Sequence, residues 1–316
     1  MSIYNKDGDA LTVDASINGF ADVKAYGATG NGTTDDATAI QSALDAMQNG
    51  GVVYFPEGIY KVMSAVLFYS NQHLIFAPGA TLLLGPYSSS SPNIMRNYNT
   101  SDITAYNGTH DVIIEGATFD GNNFTGNSPT LLGFSHSSNI KIINCHFKRA
   151  RGSWHDLEIN SSKNVKVIGC TFDGGLKTAN NGENIQIDKA GSSSAYPWTC
   201  NYDGTVCEDV EIAGCTFFNN AYSPAIGNHT SASHIYCRIH DNMFDTLTSD
   251  RGAINFNGGM SQLDVYNNTF KGCTTGIGTS GATYYIHDNR FVDATTAISG
   301  SASVAHANMI NGTYTA

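Results

Sequence analysis

Residues 157–172 read L-E-I-N-S-S-K-N-V-K-V-I-G-C-T-F, and a unit of this kind recurs between residues 102 and 310. Aligning the copies, about eight of them, produces one column of aromatic side chains and one of small or polar side chains. The first column is Phe119, Phe147, Phe172, Phe217, Phe244, Phe270 and Phe291, ending in Ile310; the second, two residues earlier in each copy, is Ala117, Cys145, Cys170, Cys215, Asn242, Asn268, Asn289 and Asn308. Subtraction gives intervals of 28, 25, 45, 27, 26, 21 and 19 residues, so the third interval carries an insertion. A period in this range is typical of a solenoid protein.

Each copy contains two short runs of alternating character, rich in Val, Ile and Phe and separated by Ser, Asn and Gly. No segment within a copy shows helical spacing over about ten residues, which excludes leucine-rich and helical repeats. The sequence therefore predicts an all-β fold, a single-stranded right-handed parallel β-helix whose coils stack about 4.8 Å apart. The Phe rings should stack in the core, and the Asn side chains should form a hydrogen-bonded ladder. The three Cys in the same column are expected to be small buried hydrophobic residues and not ligands.

The composition limits the class of protein. The chain has 316 residues, of which 41% are hydrophobic and 14% charged, with 33 Gly, as expected of a turn-rich solenoid with a sizeable core. We find no apolar run of membrane-spanning length, no secretion signal and no cofactor motif. The net charge of -11 argues against a nucleic-acid partner.

The cysteine count of seven is odd, so at least one thiol is free. Only Cys200 and Cys207, which flank N-Y-D-G-T-V in the insertion, look like a pair. They are either a disulfide or two thiols in one loop.

The N-terminal region divides at about residue 20. Residues 1–20 are polar and are interpreted as an attachment segment, and residues 21–316 as the β-helix domain. Thr34 is a candidate N-cap, followed by Asp35 and Asp36 in the first turn of an amphipathic helix that ends at Asn49-Gly50-Gly51. Such a helix would cover the open end of the first coil. The first coils are expected at Val52–Phe55, Tyr60–Val62, Leu74–Phe76 and Thr81–Leu84.

The segment from Asp22 to Tyr60, including Y-F-P-E-G-I-Y, resembles the entry module of the pectate-lyase-like superfamily. Members of this superfamily include phage tailspikes, extracellular glycan-cleaving enzymes and mannuronan C5-epimerases. The resemblance implies a polysaccharide substrate, an extracellular or virion location and a side-by-side homotrimer. It does not select a reaction, because one scaffold hosts many functions.

The outward side chains of one strand per coil should carry the chemistry. Period-two alternation directs Leu157 and Ile159 inward. The outward columns are then Glu158, Gln186, Gly227 and Asn255 in one line, and Asn160, Asp188, His229 and Asn257 in the other. This register places Asp188 beside His229 and diagonally from Glu158 at roughly 7–8 Å.

Such a carboxyl separation suits an inverting glycosidase, in which one carboxyl group donates a proton and the other activates water. We expect Asp188 to be the donor and Glu158 the base, with Asp203 an alternative to either. Asn160, Gln186, Asn255 and Asn257 would bind the substrate.

The order of these coils also resembles that of polygalacturonase-type glycoside hydrolases, whose coils carry N-T-D, D-D, G-H-G and R-x-K. Glu158-Ile159-Asn160, Ile187-Asp188 and Gly227-Asn228-His229 stand at the first three motifs. Only one Asp replaces the pair, and Asn255-Phe256-Asn257 replaces the basic motif. These departures put galacturonan in doubt as the substrate.

The insertion follows Asp188 directly and brings three aromatic residues, Tyr196, Trp198 and Tyr202, to the same place. Their rings could stack on sugars, with Trp154 at the preceding turn, or could pack the loop against the body of the protein.

Three classes of function stay open. The first is an endo-acting polysaccharide hydrolase, the second a lyase or C5-epimerase using His229, Tyr202, Lys189 or Arg251, and the third a glycan-binding adhesin. Asp188, His229, Asp203 and Glu183 could together hold a metal, but they show no metal-ligand spacing, so the sequence predicts none.

Overall fold

The computed structural model describes residues 19–87, 93–124, 130–152, 155–175, 177, 182–192, 196–229, 234–256, 260–279, 283–300, 302 and 304–314. Its elements in chain order are β1 (Phe20–Asp22), β2 (Asn31–Asp35), α1 (Ala37–Ala46), β3 (Gly51–Phe55), β4 (Ile59–Val62), β5 (Val66–Phe68), β6 (Gln72–Phe76), β7 (Thr81–Leu84), β8 (Asn93–Asn97), β9 (His110–Glu115), β10 (Thr118–Asp120), β11 (Thr130–Ser135), β12 (Ser138–Ile143), β13 (His146–Lys148), β14 (Leu157–Asn160), β15 (Lys163–Ile168), β16 (Thr171–Asp173), β17 (Ile185–Asp188), β18 (Glu208–Ala213), β19 (Thr216–Phe218), β20 (Ile226–Asn228), β21 (Ile235–His240), β22 (Met243–Asp245), β23 (Ile254–Phe256), β24 (Leu263–Tyr266), β25 (Thr269–Lys271), β26 (Thr275–Gly278), β27 (Tyr284–His287), β28 (Arg290–Val292), β29 (Thr296–Ser299), β30 (Val304–His306), β31 (Met309–Ile310) and β32 (Thr313–Tyr314).

The strands form three sheets that run along the whole solenoid. Sheet A has the order β1-β3-β6-β9-β12-β15-β18-β21-β24-β27-β30, sheet B the order β2-β4-β7-β10-β13-β16-β19-β22-β25-β28-β31-β32, and sheet C the order β5-β8-β11-β14-β17-β20-β23-β26-β29. Successive coils pair in parallel, and only β31 and β32 pair antiparallel among the described strands. The predicted right-handed parallel β-helix is confirmed.

Each coil has three strands, one more than the two runs read from the sequence. The run V-K-V-I-G-C-T-F divides into β15 and β16 because the chain turns between Ile168 and Thr171. Gly169 at this turn has a φ of 65°, a conformation that suits glycine. The run therefore serves two sheets.

The Phe column is a continuous stack in the core. From Phe119 to Phe291, neighbouring rings are parallel with centroids 4.7 to 5.0 Å apart, and every ring is fully buried. The pairing of Phe172 with Phe217 holds across the 45-residue interval. The insertion therefore leaves the core register unchanged.

The second column is a single ladder that changes chemistry part-way along. The backbone N–H of Cys145 donates to Sγ of Cys170, and that of Cys170 to Sγ of Cys215, both at 3.4 Å. The N–H of Cys215 then donates to Oδ1 of Asn242 at 2.8 Å, and the ladder continues through Asn268, Asn289 and Asn308. Thiol and amide oxygen thus accept the same backbone hydrogen bond in different coils. All seven cysteines are free, so Cys200 and Cys207 are two thiols.

The N-terminal helix covers the first coil as predicted, but it begins later than predicted. Its N-cap is Asp36 and not Thr34, and no acidic residue lies in its first turn. The side chain of Asp36 makes no capping bond, because it accepts hydrogen bonds from the backbone N–H groups of Thr29 and Gly30. Ile40 and Leu44 are fully buried against the β-helix.

The predicted first strands correspond to β3, β4, β6 and β7. Residues 1–18 of the predicted attachment segment lie outside the described residues, and β1 begins at Phe20 and pairs with β3. Within the described part of the chain, no helix has the length and apolar character needed to cross a bilayer.

Candidate functional site

The outward columns of sheet C have the predicted register. Glu158 pairs with Gln186, Gln186 with Gly227 and Gly227 with Asn255. Asn160 pairs with Asp188 in the neighbouring column. The polar side chains therefore line up across successive coils on one face of the solenoid.

Glu158 is completely buried on this face. Its carboxyl group lies 3.2 Å from the hydroxyl of Thr130 and 3.0 Å from Nδ2 of Asn160, which is also fully buried. Burial raises the pKa of Glu158 to about 8, because the ionised form loses its water and the charge of Asp188 adds to the effect. Glu158 is therefore protonated at neutral pH and fits a proton donor better than the predicted base.

Asp188 is 1% exposed, and its oxygens accept three hydrogen bonds. Oδ1 accepts from the backbone N–H of Lys189 at 2.9 Å, while Oδ2 accepts from Nε2 of Gln186 and from the backbone N–H of His229, both at 3.1 Å. These bonds fix the start of the insertion and the end of β20. Asp188 thus joins two coils as well as being a candidate for chemistry.

His229 reaches Asp188 with its backbone and not with its ring, which differs from the predicted side-by-side pair. It follows the last residue of β20, where the chain leaves the strand and the alternation ends. Nε2 of its imidazole lies 2.7 Å from Oε2 of Glu183. Burial opposes protonation, but the hydrogen bond and the charge of Glu183 outweigh it and raise the pKa of His229.

The sequence grouped Glu183 with Asp188, Asp203 and His229 as possible metal ligands, but it did not indicate the cluster in which Glu183 lies. Glu183 is fully buried and lies 3.4 Å from Nδ1 of His155 and 3.9 Å from Nη1 of Arg251. Burial lowers the pKa of His155 well below its ordinary value. His155 and Glu183 each stand two residues before a strand of sheet C, β14 and β17. Aligning the residues before those strands would have revealed them.

The insertion packs against sheet C. Tyr196 and Trp198 are 1% and 8% exposed and form a buried cluster with Ala190 and Cys200. The ring of Trp198 lies 3.2 Å from the position that a Cβ would take at Gly133. Gly133 is the strand partner of Glu158 in the preceding coil. These two rings therefore pack the insertion against the body of the protein and lie over the strand position next to Glu158.

Tyr202 is different, because 40% of it is exposed, although its hydroxyl donates to the backbone oxygen of Tyr196 at 3.1 Å. Asp203 accepts hydrogen bonds from the backbone N–H groups of Ala105 and Thr205 at 2.9 and 2.8 Å. These contacts tie the insertion to another loop and do not place Asp203 with Glu158 or Asp188 as an alternative acid or base.

Asn255 is half-buried beside Arg251, and its Nδ2 donates to the backbone oxygen of Arg251 at 2.8 Å. The predicted binding residues Trp154 and Asn257 lie outside the described residues. The outer face of sheet C therefore has two zones. The covered zone holds two buried carboxyl groups, that of Glu158 near the ring of Trp198 and that of Asp188, and the open zone holds His229, Arg251 and Asn255, which are all partly exposed.

Comparison with known proteins agrees with the fold. The model of the rhamnogalacturonase A/epimerase, pectate lyase-like family matches residues 20–184. The chain belongs to this family. The family contains hydrolases and lyases on a shared scaffold, so membership does not by itself assign a reaction.

Relatives of the chain include proteins of cell and phage surfaces. It is 34% identical over 259 residues to the plasmin and fibronectin-binding protein A of Streptococcus pneumoniae, covering 71% of this chain and 36% of that protein. It is 27% identical over 261 residues to the pre-neck appendage protein of Bacillus phage phi29, covering 81% of this chain and 26% of that protein. The chain thus spans only about a third or less of these relatives.

Solved structures show the same architecture. The pneumococcal surface adhesin PfbA superposes with a TM-score of 0.73 at 25% identity, over 91% of this chain and 79% of that chain. A family 28 exopolygalacturonase of Yersinia enterocolitica superposes with a TM-score of 0.66 at 14% identity, over 88% of this chain and 59% of that chain, which shows the fold alone.

The raised pKa of Glu158 predicts a dependence of stability on pH. The carboxyl group titrates near 4.5 in the unfolded chain but at about 8 in the folded one. Its contribution is therefore complete below the unfolded value and is lost as the pH rises toward the folded value, at up to about 1.4 kcal/mol per pH unit. Glu158→Gln should remove this part of the slope in urea denaturation between pH 5 and 8. The exposed control Glu57→Gln should keep the wild-type slope. Parallel slopes for Glu158→Gln and wild type would contradict the assignment.

Proposed function

We propose that this chain is the glycan-binding β-helix of an extracellular or virion surface protein, and that it binds polysaccharide on the open zone of sheet C. Arg251 and Asn255 offer N–H donors, and His229 offers the polar nitrogens of its imidazole. Relatives named as a surface adhesin and as a phage appendage protein support a surface role.

The observation that carries this proposal is the division of the face into two zones. The carboxyl groups of Glu158 and Asp188 are buried, and their oxygens face protein donors. A sugar bound to the surface as it stands meets His229, Arg251 and Asn255 instead. Recognition needs only those exposed groups, whereas cleavage needs the covered ones.

Binding is tested by affinity electrophoresis against a panel of bacterial surface and plant polysaccharides. Arg251→Gln should weaken binding of the glycan retained by wild type by about tenfold or more, as expected for the loss of a charge-assisted hydrogen bond. The matched control is Arg290→Gln, which removes an exposed Arg from β28 in sheet B. Equal retention of both variants would refute a site on the open zone.

Hydrolysis is the second candidate, and the position of Glu158 diagonally from Asp188 on neighbouring strands favours it. A carboxyl group that stays protonated at neutral pH, beside one on the next strand, is the arrangement that an acid–base glycosidase uses. Glu158 would be the proton donor and Asp188 the base that activates water, the reverse of the roles read from the sequence. A sugar reaches them only if the segment around Trp198 moves away.

Product analysis separates the candidates. Hydrolysis gives new reducing ends, which Glu158→Gln and Asp188→Asn should each abolish without loss of binding. A lyase gives an unsaturated product and no added water. Retardation of the protein by a glycan in affinity electrophoresis, with neither product formed, supports the binding role and excludes turnover of that glycan.

A further inference from the structure

His155, Glu183 and His229 bring three potential metal ligands together from successive coils. Oε2 of Glu183 lies 2.7 Å from Nε2 of His229 and 3.4 Å from Nδ1 of His155. One ligand atom from each residue falls within 4.8 Å of the other two. This is the one such group of three or more His, Cys, Asp or Glu among the described residues.

We propose that His155, Glu183 and His229 form a zinc-binding site. Two imidazoles and one carboxylate, with a fourth position left for water, make a donor set that Zn²⁺ uses in proteins. With Zn–N and Zn–O distances of about 2.0–2.2 Å, tetrahedral ligand atoms lie roughly 3.3–3.5 Å apart. The distance from Oε2 of Glu183 to Nδ1 of His155, 3.4 Å, already has this value. The distance from Oε2 of Glu183 to Nε2 of His229, 2.7 Å, must increase by roughly 0.6–0.8 Å.

Glu183 has one carboxylate oxygen that a metal ion could bind. Its Oε1 is buried and accepts no hydrogen bond from the described residues, with Arg251 at 3.9 Å as an ionic neighbour. Gly227 lies beneath the side chain, and a Cβ there would come 3.4 Å from Cγ of Glu183 and 2.4 Å from the backbone oxygen of Asn255. Glycine at this position lets the carboxylate extend over the strand toward His229.

The three ligands differ in their exposure to solvent, and one of them is exposed enough for an ion to reach the site. The side chains of Glu183 and His155 are 0% and 6% exposed, whereas that of His229 is 28% exposed. An ion could therefore enter from the side of His229 and keep its fourth position toward solvent. Asp188 accepts a hydrogen bond from the backbone N–H of His229, which helps to fix the position of that residue.

The positive charge of Arg251 is the main competitor. Without an ion, the charges of Glu183, His229 and Arg251 can balance one another as ion pairs. A zinc site and an ion-pair cluster differ in a measurable way, because only a zinc site saturates with one zinc ion per chain.

The test is isothermal titration of ZnCl₂ into chelator-stripped protein, with native mass spectrometry for stoichiometry. Wild type should bind one zinc ion, and zinc should raise its melting temperature. His155→Gln and His229→Gln should each weaken binding by at least tenfold, while His287→Gln, which removes a His paired with Asp288 on sheet A, should match wild type. The partly exposed His229 gives a readout even if the buried His155→Gln variant fails to fold.

Two outcomes would overturn the proposal. The first is no binding by wild type, and the second is zinc binding that neither His155→Gln nor His229→Gln reduces, which would assign it to other surface groups. The site shares His229 with the proposed glycan site, so zinc titrations are run without glycan and glycan binding is measured in excess chelator. Failure of one proposal is then independent of failure of the other.

Discussion

Phe217→Ala should destabilise the protein by about 3–5 kcal/mol, the range for deleting a fully buried Phe side chain. The ring is completely buried and stacks between Phe172 and Phe244, with both centroid distances 4.9 Å. Parallel strands hold the two neighbouring coils in register, so the coils cannot close over the gap. The free energy of unfolding from equilibrium urea denaturation measures the loss.

The adjacent residue supplies a matched control. Phe218 is the next residue of β19, but it points outward and is only half-buried. Phe218→Ala removes the same atoms and should cost well under half as much. Equal losses for the two variants would show that the core stack is not the source of the stability.

Lys177→Met should be comparably damaging, by about 3–5 kcal/mol, because it leaves a buried carboxylate without its cation. Nζ of Lys177 lies 2.9 Å from Oδ1 of Asp156, and both side chains are 0% exposed. Burial raises the pKa of Asp156 while Lys177 lowers it, so removing the cation raises that pKa further. The carboxyl group can then protonate in acid. The loss should accordingly be smaller at pH 5 than at pH 8.

The surface pair of Lys166 and Glu211 is the control for this effect. Their charged atoms lie 2.7 Å apart, but the side chain of Lys166 is 47% exposed. Lys166→Met should change stability by no more than about 1 kcal/mol. The double variant Asp156→Asn with Lys177→Met should recover part of the loss. If Lys177→Met lowered the free energy of unfolding as little as Lys166→Met does, burial of Asp156 would not depend on its ion pair with Lys177.

The repeating part of the fold could be predicted because identical positions stack. The Phe and Cys/Asn columns, the strand register of sheet C and the cap helix all follow from local patterns of period and spacing. The third strand was missed because the turn at Gly169 lies inside what the sequence presents as one run, residues 165–172. The helix start was misplaced because Asp36 bonds to Thr29 and Gly30 and does not act as a side-chain cap.

The candidate site was less predictable because its decisive contacts are long-range or lie outside the strands. The hydroxyl of Tyr196 faces Asn97 at 3.4 Å, a partner 99 residues earlier in the chain, and no local pattern indicates that contact. Alternation placed Glu158 and Asp188 correctly on one face. It says nothing about His155 or Glu183, which precede their strands, or about the ring of His229 once β20 has ended.

The placement of the insertion between β17 and β18 has a consequence for how such proteins diversify. The aromatic stack and the thiol–amide ladder run past it without a break, so a replacement segment needs only to leave after Asp188 and return before Cys207, which is part of the core. Transplanting the corresponding segment from another coiled solenoid would then change the outer surface of the protein while the packing of the core stays nearly the same.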